Sequence, residues 1–184
     1  MKNIVILGGS YGGVSTAHRI LKQPLSTHPF KITLVSPNTH VYWNMASPQG
    51  LIPGLLKDEQ LFQPIAAGFE QYSIDRAEFI LASADHLDVE AKKVELSGPT
   101  GRQTLDYDFL ILATGSNTKE GTPLKELGST LATKKALHDF QERVREAKTI
   151  VIAGAGVTGV EVAGELGYVY GIQKKIILVS LTCQ

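Results

Sequence analysis

The sequence predicts an α/β protein in which one unit occurs twice: a parallel strand, a glycine-dense turn, a helix and a further parallel strand. Two stretches carry that expectation, residues 2–13 (KNIVILGGSYGG) and residues 149–159 (TIVIAGAGVTG). In each, a short apolar run rich in β-branched residues reads as a strand, the first with the pattern of a strand buried on both faces of a parallel sheet. Glycines follow, and then an apolar periodicity of helical spacing. Such a turn suits phosphate, because helix N-terminal N–H groups and the helix dipole favour an anion. The expected fold class is thus α/β, a three-layer Rossmann-like dinucleotide-binding domain with a β-meander, followed by the start of a second Rossmann unit.

Residues 4–7 give the first strand. Gly8 allows the tight turn and Gly13 lets the helix lie close on the strand. Ser10 stands where the middle glycine of G-x-G-x-x-G lets backbone approach a pyrophosphate, and its hydroxyl is itself a donor. Val14, Ala17, His18 and Leu21 fall at i, i+3, i+4 and i+7, one face of the helix. A loop at residues 24–29 leads to the second strand, residues 31–35. A carboxylate usually ends that strand and holds ribose hydroxyls. Here Ser36 takes the place, before Pro37 and Asn38, and reads either as a ribose contact or as a plain turn.

Residues 40–54 are aromatic-rich and broken by Pro48, Gly50, Pro53 and Gly54. They read first as core and second as a wall for a flat ring. The spacing of Leu61, Ile65, Phe69 and Tyr72 predicts a single helix with an apolar packing stripe, Pro64 fitting near its first turn. Residues 79–82 read as a strand. Residues 94–96 and 103–105 flank Gly98-Pro99-Thr100-Gly101 as a hairpin, and the charges of residues 85–95 belong to solvated faces. Residues 109–113 are a buried strand closed by Thr114-Gly115, where the chain passes close to a ligand. A polar linker, residues 117–130, precedes a helix with Leu137, Phe140 and Val144 on one face. Gly154, Gly156 and Gly159 then complete a full G-x-G-x-x-G ahead of a helical run and a strand at residues 175–180. One such fingerprint is weak evidence, and two in strand–turn–helix context are strong.

At 184 residues the chain has room for one good core, or for one domain and part of another. A formal net charge of zero without a basic cluster argues against nucleic acid as a partner. The single cysteine, Cys183, excludes a disulfide framework and a cysteine zinc cage. The histidines do not pair at ligand spacing, so no metal site is expected. No signal peptide is evident, and no apolar run approaches the roughly 20 residues of a spanning helix. The expected location is cytoplasmic.

GGSYGG, YDFLILATGS and IVIAGAGVTGVEVAGEL together resemble the pyridine-nucleotide-dependent flavoprotein oxidoreductases. LVSPNTHVYWNMASPQG narrows the resemblance to the apoptosis-inducing-factor-like branch, with its ferroptosis-suppressor-type enzymes and fungal relatives. The likeness runs to about residue 180. It implies FAD and NAD(P)H as cofactors. It places the FAD pyrophosphate at Gly8, Gly9, Ser10, Tyr11, Gly12 and Gly13, the adenosine ribose at Ser36, and the adenine near Ala84. Thr114 and Gly115 match a second flavin-contacting motif. Gly154, Gly156 and Gly159 match the NAD(P)H turn. Glu161 matches an acidic position toward the nicotinamide end, or is a first-turn glutamate favoured by the dipole. The implied domains are residues 1–117, the N-terminal part of an FAD-binding domain; residues 118–148, linker and helix; and residues 149–184, the start of an NAD(P)H-binding domain.

The implied chemistry is hydride transfer from nicotinamide to flavin, then electron release to a quinone or similar small acceptor. The protein's part is to stack two rings, so no catalytic side chain is named. The redox cysteine pair of the thiol-disulfide branch is missing, which excludes disulfide chemistry. Family members continue with a returning segment whose Gly-Asp motif meets the flavin, and residues 181–184 depart from the family pattern. The expectation is a truncated form that holds FAD weakly or not at all, associates with a full-length homologue, and leaves Val162, Leu166 and Val169 without a covering layer. The alternative is a non-catalytic nucleotide-binding module. A flavin-free NAD-dependent dehydrogenase is disfavoured because ATG after a YD strand belongs to the flavin pattern.

Overall fold

The runs of alternating and continuous apolar residues become eleven strands and six α-helices among the described residues, 1–23, 29–118 and 121–180 of the computed structural model. In chain order they open with β1 (Lys2–Leu7), α1 (Tyr11–Leu21), β2 (Phe30–Ser36) and β3 (His40–Tyr42). Next come α2 (Ser47–Gly50), α3 (Asp58–Leu61), β4 (Phe62–Pro64), α4 (Ile65–Phe69), β5 (Ala77–Leu81) and β6 (Ser83–Asp88). After these lie β7 (Lys93–Gly98), β8 (Gly101–Asp106), β9 (Phe109–Leu112), α5 (Thr130–Glu146), β10 (Thr149–Ala153), α6 (Val157–Tyr170) and β11 (Lys175–Val179). The loop expected at residues 24–29 (apart from Pro29) and the departing tail at residues 181–184, Cys183 included, lie outside the described residues.

The chain forms two units. The first comprises Met1–Tyr42, Gln63–Ser116 and Gly128–Thr130, and the second Trp43–Phe62, Asn117–Leu127 and Leu131–Gln184.

In the first unit β1 pairs in parallel with β2 and with β9, and β2 with β5, giving the order β5-β2-β1-β9. Successive strand residues point to opposite faces, and β1 and β2 are covered on both. β9, expected to be buried, is an edge strand with Phe109 and Leu112 59% and 64% exposed, because it has a strand neighbour on one side only among the described residues. On one face Ile6, Ile32 and Leu34 pack with Ala17 and Leu21 of α1 and with Ile65 and Phe69 of α4. On the other, Val5, Leu7 and Val35 pack with Ala82, Val94 and Leu96 of the meander. Helices, parallel sheet and meander are the three layers expected. Each fully buried aliphatic side chain contributes about 1.5–3 kcal/mol, so these two clusters hold the unit together. Asp108 ties the strand starts: it accepts from Lys2 Nζ at 2.7 Å and from the Asn3 N–H at 2.8 Å. The Lys2 hydrogen bond, then the Asn3 N–H, hold its carboxyl below the ordinary carboxylate range.

One expectation needs correction here, and one strand was not foreseen. The stripe Leu61, Ile65, Phe69, Tyr72 is not one helix; α3 and α4 are separated by β4. Pro64 disfavours helical geometry at Gln63 before it and removes an N–H, and Pro64 sits extended at φ −65°, ψ 126° as the N-cap of α4. Burial of the stripe still came true, with Leu61, Ile65 and Phe69 all in the core. Residues 83–88, not foreseen as a strand, form β6. β6 pairs antiparallel with β7 and β7 with β8, around a two-residue turn at Pro99-Thr100 where Gly101 has φ +101°. The charges are exposed, as expected, but they decorate the outer side of a meander.

In the second unit β10 and β11 pair in parallel from Thr149 opposite Lys175 to Ala153 opposite Val179. The expectation that Val162, Leu166 and Val169 lack cover is overturned. Leu166 is fully buried with Ile52 and Val144, and Val162, Val169, Phe140 and Ile176 pack around them. The cover comes from residues 43–62 and from α5. Gln141 donates to the Gly50 carbonyl at 2.7 Å, and His138 meets Asp58 at 3.0 Å. The aromatic stretch is accordingly mostly core, with Tyr42, Ala46, Leu51 and Ile52 buried, while Trp43 and Met45 stay exposed.

Candidate dinucleotide-binding sites

The first turn is built by contacts that only glycine satisfies. Gly8 has φ +118°, a conformation that disfavours any Cβ, and a Cβ there would lie 2.1 Å from the Ala113 carbonyl oxygen. Its N–H donates to Val35 O at 2.8 Å, closing β1 onto β2. A Cβ at Gly13 would lie 1.8 Å from the Gly8 carbonyl oxygen, and one at Gly9 would lie 2.6 Å from the Ser36 side chain. The helix therefore leaves the strand end at contact distance, with its first-turn N–H groups facing outward.

Ser10 is the N-cap of α1, makes no side-chain cap bond, and no acidic residue lies in the first turn. Neither the N-cap side chain nor a first-turn carboxylate thus competes with an anion for this helix end. Tyr11 opens the helix and is half exposed.

Three further strand ends meet the same edge of the sheet. Ser36 closes β2 and is 1% exposed; its hydroxyl accepts from the Asn38 N–H at 3.1 Å and its carbonyl from the Ala82 N–H at 2.9 Å. The hydroxyl is packed behind Gly9 and shapes the turn. Ala84 lies just past Ala82, exposed in β6 and opposite Leu96. The Ala113 N–H donates to Leu7 O at 2.8 Å, which carries Thr114 and Gly115, both exposed, past the Gly8 turn, with Gly115 at φ +70°. Ligands of open α/β sheets lie at this carboxyl edge. Sequence reasoning passed over Tyr42, which is buried beside this turn. Burial, and then the Tyr11 hydroxyl, push its phenol above the ordinary range, so it is a neutral group. The aromatic and β-branched run His40-Val41-Tyr42, which forms β3, was the available signal.

The second turn repeats the first in detail. Gly154 has φ +112° and its N–H donates to Val179 O at 2.8 Å. A Cβ at Gly159 would lie 1.9 Å from the Gly154 carbonyl oxygen. Gly156 is the N-cap of α6, and a Cβ there would meet nothing within 4 Å. Its glycine leaves backbone open to close approach. Glu161 is exposed and is the fifth residue of α6, beyond a first turn that carries no acid. The dipole reading of Glu161 therefore has little to act on, because the effect falls off within the first turn.

Among the described residues no group of three or more His, Cys, Asp or Glu side chains is placed to hold a metal ion, and no helix is long and apolar enough to cross a membrane. The donor set that remains is backbone N–H groups and hydroxyls at two glycine cradles, which fits the phosphates of dinucleotides.

Comparison with known proteins agrees with this geometry. A family model described as pyridine nucleotide-disulphide oxidoreductase matches residues 2–182. The oxidoreductase ptaL of Pestalotiopsis fici is 54% identical over 184 residues, covering 98% of this chain and 49% of that protein. A type II NADH:quinone oxidoreductase of Staphylococcus haemolyticus is 30% identical, covering 90% of this chain and 43% of the relative. Among solved structures, the NDH2 of Plasmodium falciparum in complex with NADH superposes with a TM-score of 0.71 at 19% identity, over 96% of this chain and 41% of that one. That likeness is one of fold. The chain spans about half the length of the curated relatives it matches.

Proposed function

Because the chain belongs to the pyridine nucleotide-disulphide oxidoreductase family, we propose that it provides the two dinucleotide cradles of an FAD-dependent NAD(P)H oxidoreductase. The observation that carries this reading is the duplication of one turn to within 0.1 Å in its tightest contact, 1.8 Å at Gly13 and 1.9 Å at Gly159. One protein with two such cradles is arranged for two dinucleotides, and electron transfer between a nicotinamide and a flavin is the simplest chemistry that uses both.

In this reading the turn from Gly8 to Gly13 takes the FAD pyrophosphate on the α1 N-terminus, and Ser36, Ala84, Thr114 and Gly115 border the rest of that cofactor. Gly154, Gly156 and Gly159 take the NAD(P)H pyrophosphate, with Glu161 toward the nicotinamide. The flavin, when bound, supplies the two-electron acceptor for hydride. The chain's own work is to hold phosphates, exclude side chains from both cradles and keep the strand ends in register. Resemblance of LVSPNTHVYWNMASPQG supports the apoptosis-inducing-factor-like branch, and the S. haemolyticus relative's name supports a quinone-like small acceptor. On the same reading residues 1–117 are the flavin side and residues 149–184 the start of the nicotinamide side.

The test is the visible absorbance of the purified chain after incubation with FAD and gel filtration, followed by anaerobic NADH. A retained flavin spectrum that bleaches supports both cradles. Retained flavin that does not bleach supports the first alone, and a colourless protein overturns the reading for this chain in favour of a non-catalytic module.

A further inference from the structure

The meander of the first unit has two outer strands, and their chemistry differs. β6 and β8 flank β7 in the order β6-β7-β8, each with β7 as its one hydrogen-bonded strand neighbour among the described residues. An outer strand directs a row of N–H and C=O groups away from its sheet and is a template for another strand. β6 is spoiled for that use: its register shifts between Ala84 and His86, and it carries Asp85 and Asp88. Bulges and edge charge of one sign are common protections. β8 has neither. Its pairing with β7 runs unbroken from Lys93 opposite Asp106 to Gly98 opposite Gly101, and its sequence, GRQTLD, holds no proline.

The Tyr107 N–H donates to Lys92 O at 3.0 Å, which sets the phase of the ladder. Hydrogen bonding alternates residue by residue in an antiparallel pair, so Gln103 and Leu105, like Tyr107, bond toward β7. Arg102, Thr104 and Asp106 direct their N–H and C=O groups away from it. Their side chains share one face of the strand, and all three are exposed; Gln103 and Leu105 are half-buried, and Leu105 packs on the meander core. Arg102 is in no ion pair among the described residues, and Asp106 is paired with Lys93 only at 3.9 Å. Opposite charges thus stand on either side of Thr104. Antiparallel pairing of β8 with another β8 about Thr104 sets Arg102 of each strand opposite Asp106 of the other, and Thr104 opposite Thr104. Both are favourable cross-strand pairs. The same register overlaps the whole strand and matches its outward N–H and C=O groups with one another. Centring on Arg102 or on Asp106 would instead set like charges opposite, which repels.

We propose that β8 is a self-complementary docking edge, and that its occupant is β8 of a second copy of this chain. The two three-stranded meanders join about a two-fold axis between their Thr104 residues into one continuous antiparallel sheet. Gln103 of each copy then lies opposite Leu105 of the other on the inner side. Edge charge usually keeps strands apart. Here the two signs run in opposite order in the partner strand, so the protection becomes a selector for this chain's own edge. β8 offers six residues against the roughly 20–30 a side of a standard interface, so the association is weak and concentration-dependent. It requires neither dinucleotide.

Sedimentation velocity of the full chain, from micromolar to near-millimolar concentration, tests this with Arg102→Asp and Asp106→Arg. Each variant alone sets like charges opposite in a self-pair: carboxylates in the first, guanidinium groups in the second. Mixed, the two variants restore opposite charges at both positions of a heterodimer. The expected result is a wild-type dimer that dissociates on dilution, with self-association weakened about tenfold or more in each variant. The equimolar mixture is expected to regain the wild-type dissociation constant. Far-UV circular dichroism reports folding, and Arg102→Glu with Asp106→Lys makes the same exchange should either variant fail to fold. A wild type that stays monomeric at the highest concentration overturns the inference. So does a dimer that neither variant weakens, which would place the interface elsewhere, and so does a mixture that associates no better than its components.

Discussion

Gly13 and Gly156 sit in matching turns and are opposite cases at the residue scale. A Cβ at Gly13 would overlap the Gly8 carbonyl at 1.8 Å, whereas one at Gly156 meets nothing within 4 Å. Backbone on both sides of the Gly13 contact leaves no flexible side chain to move aside. Gly13→Ala is therefore expected to destabilise by about 2 kcal/mol or more, in the range of overpacked cores. Gly156→Ala is expected to cost under about 1 kcal/mol, since only the N-cap preference is touched. Urea denaturation of both variants measures the difference; equal losses would show that the close approach of helix and strand is not what Gly13 serves. Fingerprint reading singled out all of these glycines. It did not distinguish those the fold requires from those it leaves free, because that depends on which atoms of distant residues come within reach.

α1 meets α4 at the element scale through His18. Its ring stacks on Phe69 with centroids 5.0 Å apart, and Nδ1 lies 3.1 Å from the Tyr72 hydroxyl. Burial, and then the nearby Lys22, lower its pKa from the ordinary value of 6.5. For a base whose folded pKa is depressed, the unfolded chain takes up the proton first. Stability is thus complete above the unfolded value and falls as pH drops from about 6.5 toward the lower folded pKa. Thermal melts at pH 7.5 and pH 5.5 should show a larger drop for wild type than for His18→Gln, which does not titrate. An equal drop in both would place the acid sensitivity elsewhere. The same contact shows what periodicity conveyed and what it missed. It put His18 on the buried face of α1, and it put Phe69 and Tyr72 on a stripe. Placing Pro64 near a helix start holds, since it caps α4; what the period missed is that Leu61 belongs to a separate helix, α3, with β4 between the two.

At the scale of the whole molecule, hydrophobic clusters of the described residues lie on each face of the β5-β2-β1-β9 sheet and, in the second unit, around Leu166. Leu166 is 1% exposed against Ile52 and Val144. Leu166→Ala is expected to cost about 2–5 kcal/mol, as for other large-to-small core changes. Hydrogen exchange should rise first in the amides of α6, β10 and β11, which share that core. Unchanged protection there would mean that residues 43–62 and α5 are not the cover the packing indicates.

Local chemistry written along the chain determined most of this architecture. The burial of β1 on both faces, the two glycine turns, the hairpin at Pro99-Thr100 and the order of the elements follow from side-chain period, glycine conformation and turn preference, all properties of neighbouring residues, whereas the exposure of Phe109 and Leu112 in β9 did not. Only the tertiary structure decided three things. Residues 43–62 leave the strands beside them in sequence and cover α6, because the apolar surface they bury against is more than a hundred residues away. The Ser36 hydroxyl accepts from the Asn38 N–H and is buried behind Gly9, because β2 packs closely on the turn. And Ala113 comes to face Gly12, because the pairing of β9 with β1 brings together residues far apart in the chain.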